Sequence, residues 1–337
     1  MRFSDLRTST QVLLCRIISP LFPVGDDLLA YSRSVGTNPL LPLGRYSEWD
    51  GAYASWASVV REDASWRMYY SGKDNAGHLR IGLALSQDGL KWTKYKNNPI
   101  LGVGMPGSWD SVYVYCPIVW RDTGAWKMMF TGCDSQYSHF QLGLASSSDG
   151  VNWEKSKRNP VFSSCNSWTL NSHGKHETEG WGLLFDGHEY SLLYNPVMRR
   201  PRQIGLATSE DLLSWKERPD PILPSKGLPW QLGYMKYCAH IFKSNEGIYL
   251  LYAVSNMNYS KSRIGLSRLS SLKDARNMQF LGYVADTSSS WCRKEVDTPF
   301  VVRDAAHGRI LCYYGGRSER NEWHEGSISI DLEALNK

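Results

Sequence analysis

The sequence predicts an all-β fold, a five-bladed β-propeller of four-stranded antiparallel blades that an N-terminal strand closes into a ring. Three observations lead to this prediction. A unit of about 60 residues repeats along the chain. Each unit splits into short β-type runs separated by Gly, Asn-Pro or Asp-Gly turns. The last unit also lacks a segment that stands near the N-terminus, so we expect residues 37–337 to form a single propeller domain that residues 1–36 precede.

The repeat is clearest in its first two copies. Trp66 to Leu101 begins WRMYYSGKD and ends IGLALSQDGLKWTKYKNNPIL, and Trp126 to Phe162 begins WKMMFTGCD and ends LGLASSSDGVNWEKSKRNPVF. The fifth copy stops before its own Asn-Pro segment, whereas TNPLL stands ahead of the first copy, at 37–41. The N-terminus is therefore expected to supply the outer strand of the last blade. A glycine keeps the same place in four copies, at Gly82, Gly143, Gly205 and Gly265.

The segment SxDGxxW predicts a hairpin in each of the first two copies. Asp88-Gly89 and Asp149-Gly150 supply a turn with positive φ. The tryptophans that follow the turns are expected to pack between blades, at Trp92, Trp153 and Trp215. Helical periodicity is confined to a candidate helix near Asp5 to Ile18.

The first run of each repeat is predicted to be the innermost strand of its blade, and these strands converge on the propeller axis. They are Tyr53 to Arg61, Tyr113 to Arg121, Glu177 to Phe185, Met235 to Lys243 and Glu295 to Arg303. Alignment of these strands brings one residue of each blade to a shared position at a central funnel, and two of the five are acids. The five are Ser55, Tyr115, Glu179, Tyr237 and Asp297.

The ends of the second strands contribute further polar side chains to the same funnel. They are Lys73, Asp74, Cys133, Asp134, Asn195, Arg199, Asn256 and Arg317. The start of blade three is also unusually polar, with His173, His176 and Glu177 ahead of Glu179. This stretch is either a solvated loop or part of the site. A metal site made of these side chains is disfavoured, because His173 and Glu179 lie far apart on an extended segment.

Asp50 and Asp110 recur in the same setting, EWDGAY and SWDSVY. Recurrence within one chain favours a shared role in building the blade, such as capping a turn. A role in contacting a ligand is the alternative.

Composition narrows the functional classes. Hydrophobic residues make up 42% and charged residues 21% of the chain, as in ordinary globular proteins. The net charge of +5 comes without a basic block, so nucleic acid is not an expected partner. The 14 Trp and 19 Tyr supply rings that can stack on a sugar or a base.

Two further features concern the cellular compartment. The seven cysteines stand singly, which indicates reduced thiols and a cytoplasmic protein. Arg16 and Pro20 interrupt the apolar stretch Gln11 to Val24, so neither a membrane span nor a secretion signal is expected.

The repeat and its turns resemble the five-bladed propeller glycosidase superfamily, which includes family 43 arabinanases and β-xylosidases, invertases, levansucrases and β-mannoside phosphorylases. The resemblance runs from about Thr37 to the end. In the arabinanase-like pattern it implies a base Asp before Pro on blade one, an auxiliary Asp before Pro on blade two, and an acid Glu two residues before Pro on blade three. This chain has Trp56-Ala57, Cys116-Pro117 and Glu179-Gly180-Trp181 at these places, so only Glu179 matches.

The other members of the superfamily also match only in part. The Asn-Asp-Pro segment of invertases is absent. The sequence does not place the phosphorylase phosphate-binding set, although Arg199, Arg200 and Arg202 could hold an anion.

These features predict a carbohydrate-active enzyme without a cofactor, either a glycoside hydrolase or a related glycosyl-transferring or phosphorolytic enzyme. Glycoside cleavage uses two carboxyl groups, one of them with a raised pKa. Glu179 and Asp297 are the leading pair, and Asp50 and Asp110 are further candidates. Residues expected to contact substrate are Trp56, Asp74, Tyr115, Asp134, His176, Glu177, Asn195, Arg199, Tyr237, His240, Asn256 and Arg317.

Two alternatives remain beside the enzyme. One is a sugar-binding propeller that has lost its chemistry, and the other is a scaffold recruited to different biosynthetic chemistry. The sequence leaves open the sugar, the linkage, the stereochemical outcome, an axial metal ion near His240 and the oligomeric state.

Overall fold

The computed structural model describes residues 32–63, 65–134, 139–225, 235–244, 247–256, 259, 262–272, 278–304 and 307–331. The candidate helix near Asp5 to Ile18 and most of the predicted N-terminal segment lie outside the described residues. The predicted domain boundary at residue 37 therefore stays a prediction.

Twenty strands and two short 3₁₀ helices form the described part of the chain. The 3₁₀ helices are Ser167–Thr169 and Ser290–Cys292. The strands of the first two repeats, with the N-terminal strand, are β1 (Ser32–Ser34), β2 (Tyr53–Glu62), β3 (Ser65–Lys73), β4 (Leu79–Ser86), β5 (Thr93–Lys94), β6 (Tyr113–Asp122), β7 (Ala125–Cys133), β8 (Gln141–Ser147) and β9 (Glu154–Lys155). The strands of the last three repeats are β10 (Glu179–Phe185), β11 (Tyr190–Asn195), β12 (Gly205–Ser209), β13 (Lys216–Glu217), β14 (Met235–Ser244), β15 (Gly247–Ser255), β16 (Ser262–Leu269), β17 (Gln279–Asp286), β18 (Glu295–Asp304), β19 (Arg309–Arg317) and β20 (Trp323–Ile330).

The strands pair within each repeat as antiparallel blades. Strands β2 to β5, β6 to β9, β10 to β13 and β14 to β17 form four blades, and β18 to β20 with β1 form the fifth. The first strands contact one another in the order β2, β6, β10, β14, β18 and back to β2. The ring is therefore closed around one axis, and the predicted all-β propeller is confirmed.

Four of the five predicted innermost strands begin at the residue expected. The third begins at Glu179 instead of Glu177. The Glu177 carboxylate accepts hydrogen bonds from the backbone N–H groups of Met198 and Arg199, at 2.6 and 3.2 Å. Glu177 thus anchors the loop at 198–199 and does not extend the strand.

The N-terminal strand closes the ring as predicted. Strand β1 pairs with β20, Ser32 opposite Ile330. Asn38 then binds both the N–H and the C=O of Ser327 on β20, at 2.9 and 3.0 Å. Asn98 and Asn159 bind the backbone of Leu83 and Leu144 in the same way in blades one and two.

The predicted SxDGxxW turns are also confirmed. Gly89 and Gly150 have φ values of 72° and 73°, which a side chain would disfavour. The tryptophan that follows this turn in blades one, two and three packs against an aromatic side chain of the preceding blade. The pairs are Trp92 with Tyr313, Trp153 with Tyr69, and Trp215 with Phe162.

Two observations bear on the predicted compartment. The cysteines in the described part of the chain, which excludes Cys15, all carry free thiols. No helix among the described residues is long and apolar enough to span a membrane. The cytoplasmic location stays a prediction.

Candidate active site

A β-bulge interrupts the first strand of every blade near the axis. In four blades the bulge holds a residue other than glycine in the left-handed region, where such residues are uncommon. These are Trp56, Cys116, Cys238 and Thr298, with φ between 48° and 57°. In blade three Gly180 stands at the bulge, but without a positive φ. The residue just before each of these five is the one that the sequence alignment identified.

Neighbouring blades are joined at the bulge by a repeated hydrogen bond. Ser71 Oγ accepts the N–H of Cys116 at 3.0 Å, and Asn195 Oδ1 accepts the N–H of Cys238 at 2.8 Å. Thr131 Oγ1 accepts the N–H of Gly180 at 3.4 Å. Three of the five bulges are therefore fixed by a side chain on the second strand of the preceding blade.

A cavity of about 400 Å³ opens beside the bulges. Three carboxyl groups, four cationic side chains and several aromatic rings line it. The charged residues are Glu179, Glu295, Asp297, Lys73, Arg200, Arg202 and Arg317. The aromatic residues are Tyr53, Trp56, Tyr113, Tyr115, Phe140, Trp181, Tyr259 and Trp323. Aromatic faces with a few placed polar groups are typical of a sugar-sized ligand site.

Asp297 is the most strongly perturbed of the three acids. Its side chain is buried, and its one hydrogen bond within the described residues comes from Thr298 Oγ1, at 3.1 Å. Burial, and then the negative charge of Glu295 on the same strand, raise the pKa of Asp297 well above its usual range. Burial therefore favours the protonated form of Asp297.

Glu179 has more partners for its charged form. Tyr115 donates its O–H to Oε1 at 2.7 Å, and Asn195 donates an N–H to Oε2 at 3.2 Å. Burial raises the pKa of Glu179, whereas the Arg202 charge and these two hydrogen bonds lower it. The two acids thus differ in environment, since Glu179 accepts hydrogen bonds from Tyr115 and Asn195, whereas Asp297 accepts one from Thr298.

Glu295 differs from Glu179 and Asp297 because it has both an ion pair and a hydrogen bond. Its Oε2 lies 2.8 Å from an Arg317 nitrogen, and Tyr237 donates to its Oε1 at 2.9 Å. Burial raises the pKa of Glu295, and the Arg317 charge opposes this effect. The carboxylate therefore holds Arg317 in the cavity wall.

Arg202 is the cation that the acids share. Its guanidinium lies over the rings of Tyr237 and Tyr259, at 5.0 and 6.0 Å from their centroids, and its Nε donates to the Val197 carbonyl at 2.9 Å. The charge of Arg202 lowers the pKa of Glu179, Glu295 and Asp297. Arg202 therefore acts as a counter-ion at the base of the cavity.

The structure brings part of the predicted site together. Glu179, Asp297, Trp56, Tyr115 and Arg317 line the cavity. Asn195 and Tyr237 lie behind it and hydrogen-bond to the acids Glu179 and Glu295.

Asp50 and Asp110 need correction as catalytic candidates, because they are not among the cavity-lining residues. Asp50 pairs with Lys94 and Asp110 with Lys155, each at 2.6 Å, and both acids are buried. Each follows a tryptophan that covers a glycine of β3 or β7. The same tryptophan position in blades three and five is followed by Thr169 and Cys292, so the position builds the blade and needs no acid.

Three predicted contacts of blade three also lie outside the cavity lining. Glu177 anchors the 198–199 loop. His176 Nδ1 lies 2.9 Å from Thr169 Oγ1, and Arg199 donates to the Leu170 carbonyl at 2.6 Å. These residues support the loop that carries Val197, Met198, Arg200 and Arg202 into the cavity wall.

The remaining predicted contacts are not among the lining residues either. Asp74 accepts hydrogen bonds from Arg80 and from the His78 N–H, which closes the β3–β4 turn. His240 is buried against Phe300, with ring centroids 4.2 Å apart, and burial lowers its pKa to about 3. Asn256 accepts the Tyr259 N–H through its backbone, and Cys133 donates its S–H to the Asp134 carbonyl. No group of three potential metal ligands occurs in the part of the chain described.

Sequence reasoning did not assign Glu295, Arg202 or Tyr259 to the site. Glu295 could have been found, because it stands two residues before Asp297 and alternate residues share one face of a strand. The sequence suggested Arg202 only as an anion ligand beside Arg199. Tyr259 reaches the cavity from a loop whose path the repeat pattern does not define.

A second and larger groove, of about 540 Å³, lies between the outer parts of blades two and three. It is also lined by acids and lysines. None of its acids is buried, and those that line it are Asp122, Glu154, Glu210 and Asp211. It therefore lacks the desolvated carboxyl groups of the axial cavity.

The closed ring of blades and the axial cavity with its buried acids define a propeller of the glycosidase type, a carbohydrate-active enzyme. A family model described as beta-1,4-mannooligosaccharide phosphorylase matches residues 57–317. The chain therefore belongs to the GH130 family. No match was found among curated proteins.

Solved structures of low sequence identity share the fold. A putative glycosidase from Bacteroides thetaiotaomicron is 16% identical, with a TM-score of 0.67 over 91% of this chain and 98% of that one. An exo-1,5-alpha-L-arabinanase from a bovine ruminal metagenomic library is 14% identical, with a TM-score of 0.60 over 82% and 92%. A third structure, 15% identical with a TM-score of 0.61 over 88% and 92%, is described with the statement that the GH130 family of mannoside phosphorylases contains glycoside hydrolases that target beta-1,2 mannosidic linkages in Candida mannan.

Proposed function

We propose that this chain cleaves β-mannosidic bonds in the axial cavity, with Asp297 and Glu179 as the two reacting carboxyl groups. The observation that carries the proposal is that these acids come from different blades, are buried, and line one cavity with aromatic rings. Glycoside cleavage requires two such groups on either side of the scissile bond. Family membership and the mannoside-active structural relative support the choice of sugar.

The environments of the two acids suggest their roles. Two titratable groups whose surroundings separate their pKa values divide into acid and base. Burial and the Glu295 charge favour the protonated form of Asp297, so it donates a proton to the leaving oxygen. Glu179, which has two donors and the Arg202 charge beside it, acts as the carboxylate. This reverses the role that the arabinanase-like resemblance implies for Glu179.

Water is the acceptor that the site favours. Arg317 is already paired with Glu295, and the Arg202 charge interacts with the carboxylates of Glu179 and Glu295, so these two guanidinium charges are largely compensated. A water molecule that Glu179 deprotonates can attack the anomeric carbon, while the Asp297 proton moves to the leaving oxygen. The bond to the leaving sugar breaks, and both products leave as free sugars.

Phosphorolysis is the second candidate. Lys73 and Arg200 line the same cavity, and their charges lie over the rings of Tyr53 and Tyr259, at 5.0 and 4.7 Å from the centroids. Two cations beside the sugar site could bind inorganic phosphate as the acceptor.

The test is product analysis on β-1,2- and β-1,4-linked mannooligosaccharides, with and without inorganic phosphate. Hydrolysis gives mannose in both reactions, whereas phosphorolysis gives mannose 1-phosphate only when phosphate is present. Glu179→Gln and Asp297→Asn should each abolish turnover and leave substrate binding intact. Asp50→Asn is the matched control, because it makes the same chemical change at a blade-building acid.

Two outcomes would contradict the proposal. Turnover that survived Asp297→Asn would remove Asp297 from the acid role. Binding of mannosides without any cleavage by the unmodified protein would favour the sugar-binding propeller instead.

A further inference from the structure

Thr298 is the bulge residue of blade five and directly follows Asp297. Its side chain is buried, and its φ of 48° places a β-branched residue in the left-handed region, where such residues are outliers. Residues in rare backbone conformations collect at functional sites, and the surrounding structure must hold them there. The contacts that hold Thr298 therefore bear on the function of the site.

The preceding blade does not hold this bulge in the way seen elsewhere in the ring. In blades two, three and four the bulge N–H is accepted by Ser71, Thr131 or Asn195 of the preceding blade. Each of these acceptors is the register partner of the residue before a bulge. The corresponding residue of blade four is Ala253, opposite Tyr237, and its methyl group cannot accept a hydrogen bond.

The Thr298 hydroxyl fixes the bulge from within blade five instead. Its Oγ1 accepts the N–H of Gly315 on β19 at 3.2 Å. The single hydrogen of the hydroxyl is donated to Asp297 Oδ1 at 3.1 Å, the one acceptor that it has among the described residues. One hydroxyl thus holds both the second strand and the acid.

Gly315 leaves room for this arrangement. It is the register partner of Asp297, and a Cβ at this position would lie 2.6 Å from Asp297 Oδ1 and 2.7 Å from Thr298 Oγ1. Contacts this short are essentially never seen, so a side chain at Gly315 would displace the carboxyl group or the hydroxyl.

We propose that Thr298 is a positioning residue that holds Oδ1 of Asp297 and leaves Oδ2 as the oxygen that carries the transferred proton. This inference rests on the proposed function, in which Asp297 donates its proton to the leaving oxygen. The oxygen that accepts the Thr298 hydrogen is the carbonyl oxygen of the protonated carboxyl, so the acidic hydrogen lies on Oδ2. During cleavage the Oδ2–H bond breaks, and the hydrogen joins the leaving oxygen as the bond of that oxygen to the anomeric carbon breaks.

The same hydrogen bond stabilises the carboxylate that is left after the transfer. Burial and the Glu295 charge raise the pKa of Asp297, and the Thr298 hydrogen bond opposes them. The carboxyl and guanidinium groups that act on Asp297 are Glu295, Glu179 and Arg202, and the neighbours that burial keeps neutral by raising their pKa are Tyr237, Cys238 and Cys116. Thr298 hydrogen-bonds to none of these six, so a substitution at Thr298 acts on Asp297 itself.

The test replaces Thr298 with valine, which keeps the shape and the β-branching and removes the hydroxyl. We expect kcat for mannoside cleavage to fall about tenfold with KM unchanged, because the acid is no longer held in one orientation. The pKa of Asp297 should rise, so the acid stays protonated to higher pH, and the basic limb of the kcat profile should move up by about one unit. A wild-type kcat, or a basic limb that stays in place, would overturn the inference.

Two further variants separate the hydroxyl from the backbone conformation. Thr298→Ser keeps the hydroxyl and should restore both kcat and the basic limb. Thr298→Cys introduces a residue that takes the left-handed conformation at Cys116 and Cys238, but a thiol is a weak donor. It should lose activity as the valine variant does, and it decides the question if that variant fails to fold. Equal losses in the serine and cysteine variants would overturn the inference.

Thr169→Val is the matched control, because Thr169 is fully buried, donates to the Asn166 carbonyl at 2.8 Å and lies outside the cavity lining. Its kcat per folded molecule and its pH profile should match those of the wild type. The same loss and the same shift in this control would attribute the effect to threonine removal in general and overturn the inference.

A second readout does not depend on turnover. The infrared C=O stretch of a protonated carboxyl rises in frequency when a hydrogen bond to its carbonyl oxygen is lost, and Asp297→Asn identifies the Asp297 band. Thr298→Val should raise this frequency and Thr298→Ser should not, and an unchanged band in the valine variant would overturn the inference. A raised frequency in a protein that cleaves no mannoside would overturn the proposed function and leave the positioning of Asp297 standing.

Discussion

Blades one and two differ from blades three and five in what they do with their acids. In the first pair the acids Asp50 and Asp110 are paired with lysines of the outer strands, away from the axial cavity. In the second pair Glu179 and Asp297 line the cavity, where burial raises their pKa values. The position of Asp297 in blade five corresponds to Ser55 in blade one. One repeated scaffold thus pairs its acids with lysines in one half and places them at the axial cavity in the other.

The difference teaches how recurrence within a chain should be interpreted. A residue that recurs in several repeats tends to be part of the blade, as the tryptophans before Asp50 and Asp110 show. A residue whose type differs from that at the equivalent position of the other repeats is a candidate for the site. Glu179 and Asp297 belong to the second kind, since the corresponding residues are Ser55, Tyr115 and Tyr237.

The largest expected effect comes from making the same change in both halves. Asp297→Asn should lower kcat by about 10² to 10⁴-fold, because the proton donor is lost. Asp50→Asn should leave kcat per folded molecule within about twofold of the wild type, because Asp50 is outside the cavity and does not take part in the acid–base chemistry. Steady-state kinetics on mannooligosaccharides, corrected for the folded fraction, measures both. Equal losses of kcat in Asp297→Asn and Asp50→Asn would contradict the difference between blade five and blade one.

The same Asp50→Asn variant should lose stability. It removes the charge that Lys94 is paired with, while the Tyr70 hydroxyl keeps an oxygen to donate to. We expect a loss of about 2 kcal/mol in the free energy of unfolding, since Lys94 is partly exposed and the full cost of a buried broken pair does not apply. Urea denaturation measures it, and Asp110→Asn should behave alike. Unchanged midpoints in both variants would contradict a structural role for these acids.

Much of the fold followed from the sequence because the repeat constrains it. The Asn-Pro segment at 37–41 predicted ring closure, because the fifth repeat lacks such a segment. In the structure its Asn38 makes the same two backbone hydrogen bonds that Asn98 and Asn159 make in their own blades. The alignment of the repeats also placed Glu179 and Asp297 at equivalent positions of two innermost strands. Because those strands converge on the axis, the amino-acid sequence alone is enough to predict that both acids face the funnel.

The parts that were missed come from outside the repeat. Arg202 and Tyr259 reach the cavity from loops, and no periodic pattern defines where a loop returns. Glu177 and Arg199 were assigned to the substrate because they stand near the funnel in sequence. In the structure their polar groups are used to hold the loop itself. Which atoms a polar group binds depends on tertiary contacts that a single sequence does not show.

The next effect is a shift in pH dependence. Tyr115→Phe removes the O–H that donates to Glu179 at 2.7 Å and favours its charged form. The pKa of Glu179 should therefore rise, and the acidic limb of the kcat/KM profile should move to higher pH, by about one unit for one lost hydrogen bond to a charged group. Tyr70→Phe is the matched control in blade one, because Tyr70 donates to Asp50 instead. An acidic limb that moved equally in both variants would contradict the assignment.

The smallest expected effect comes from a substitution that gives blade two a feature of blade one. Trp49 packs on Tyr70 in blade one and Trp109 on Phe130 in blade two, with ring centroids 5.5 and 5.7 Å apart. Phe130→Tyr places a hydroxyl where Tyr70 has one, within reach of the buried Asp110. The added hydrogen bond should stabilise the protein by about 1 kcal/mol, because the acceptor is already buried and ordered. Thermal and urea denaturation measure the gain. A loss of stability would mean that blade two lacks the space for the hydroxyl, and that the two blades are less alike than their shared motif indicates.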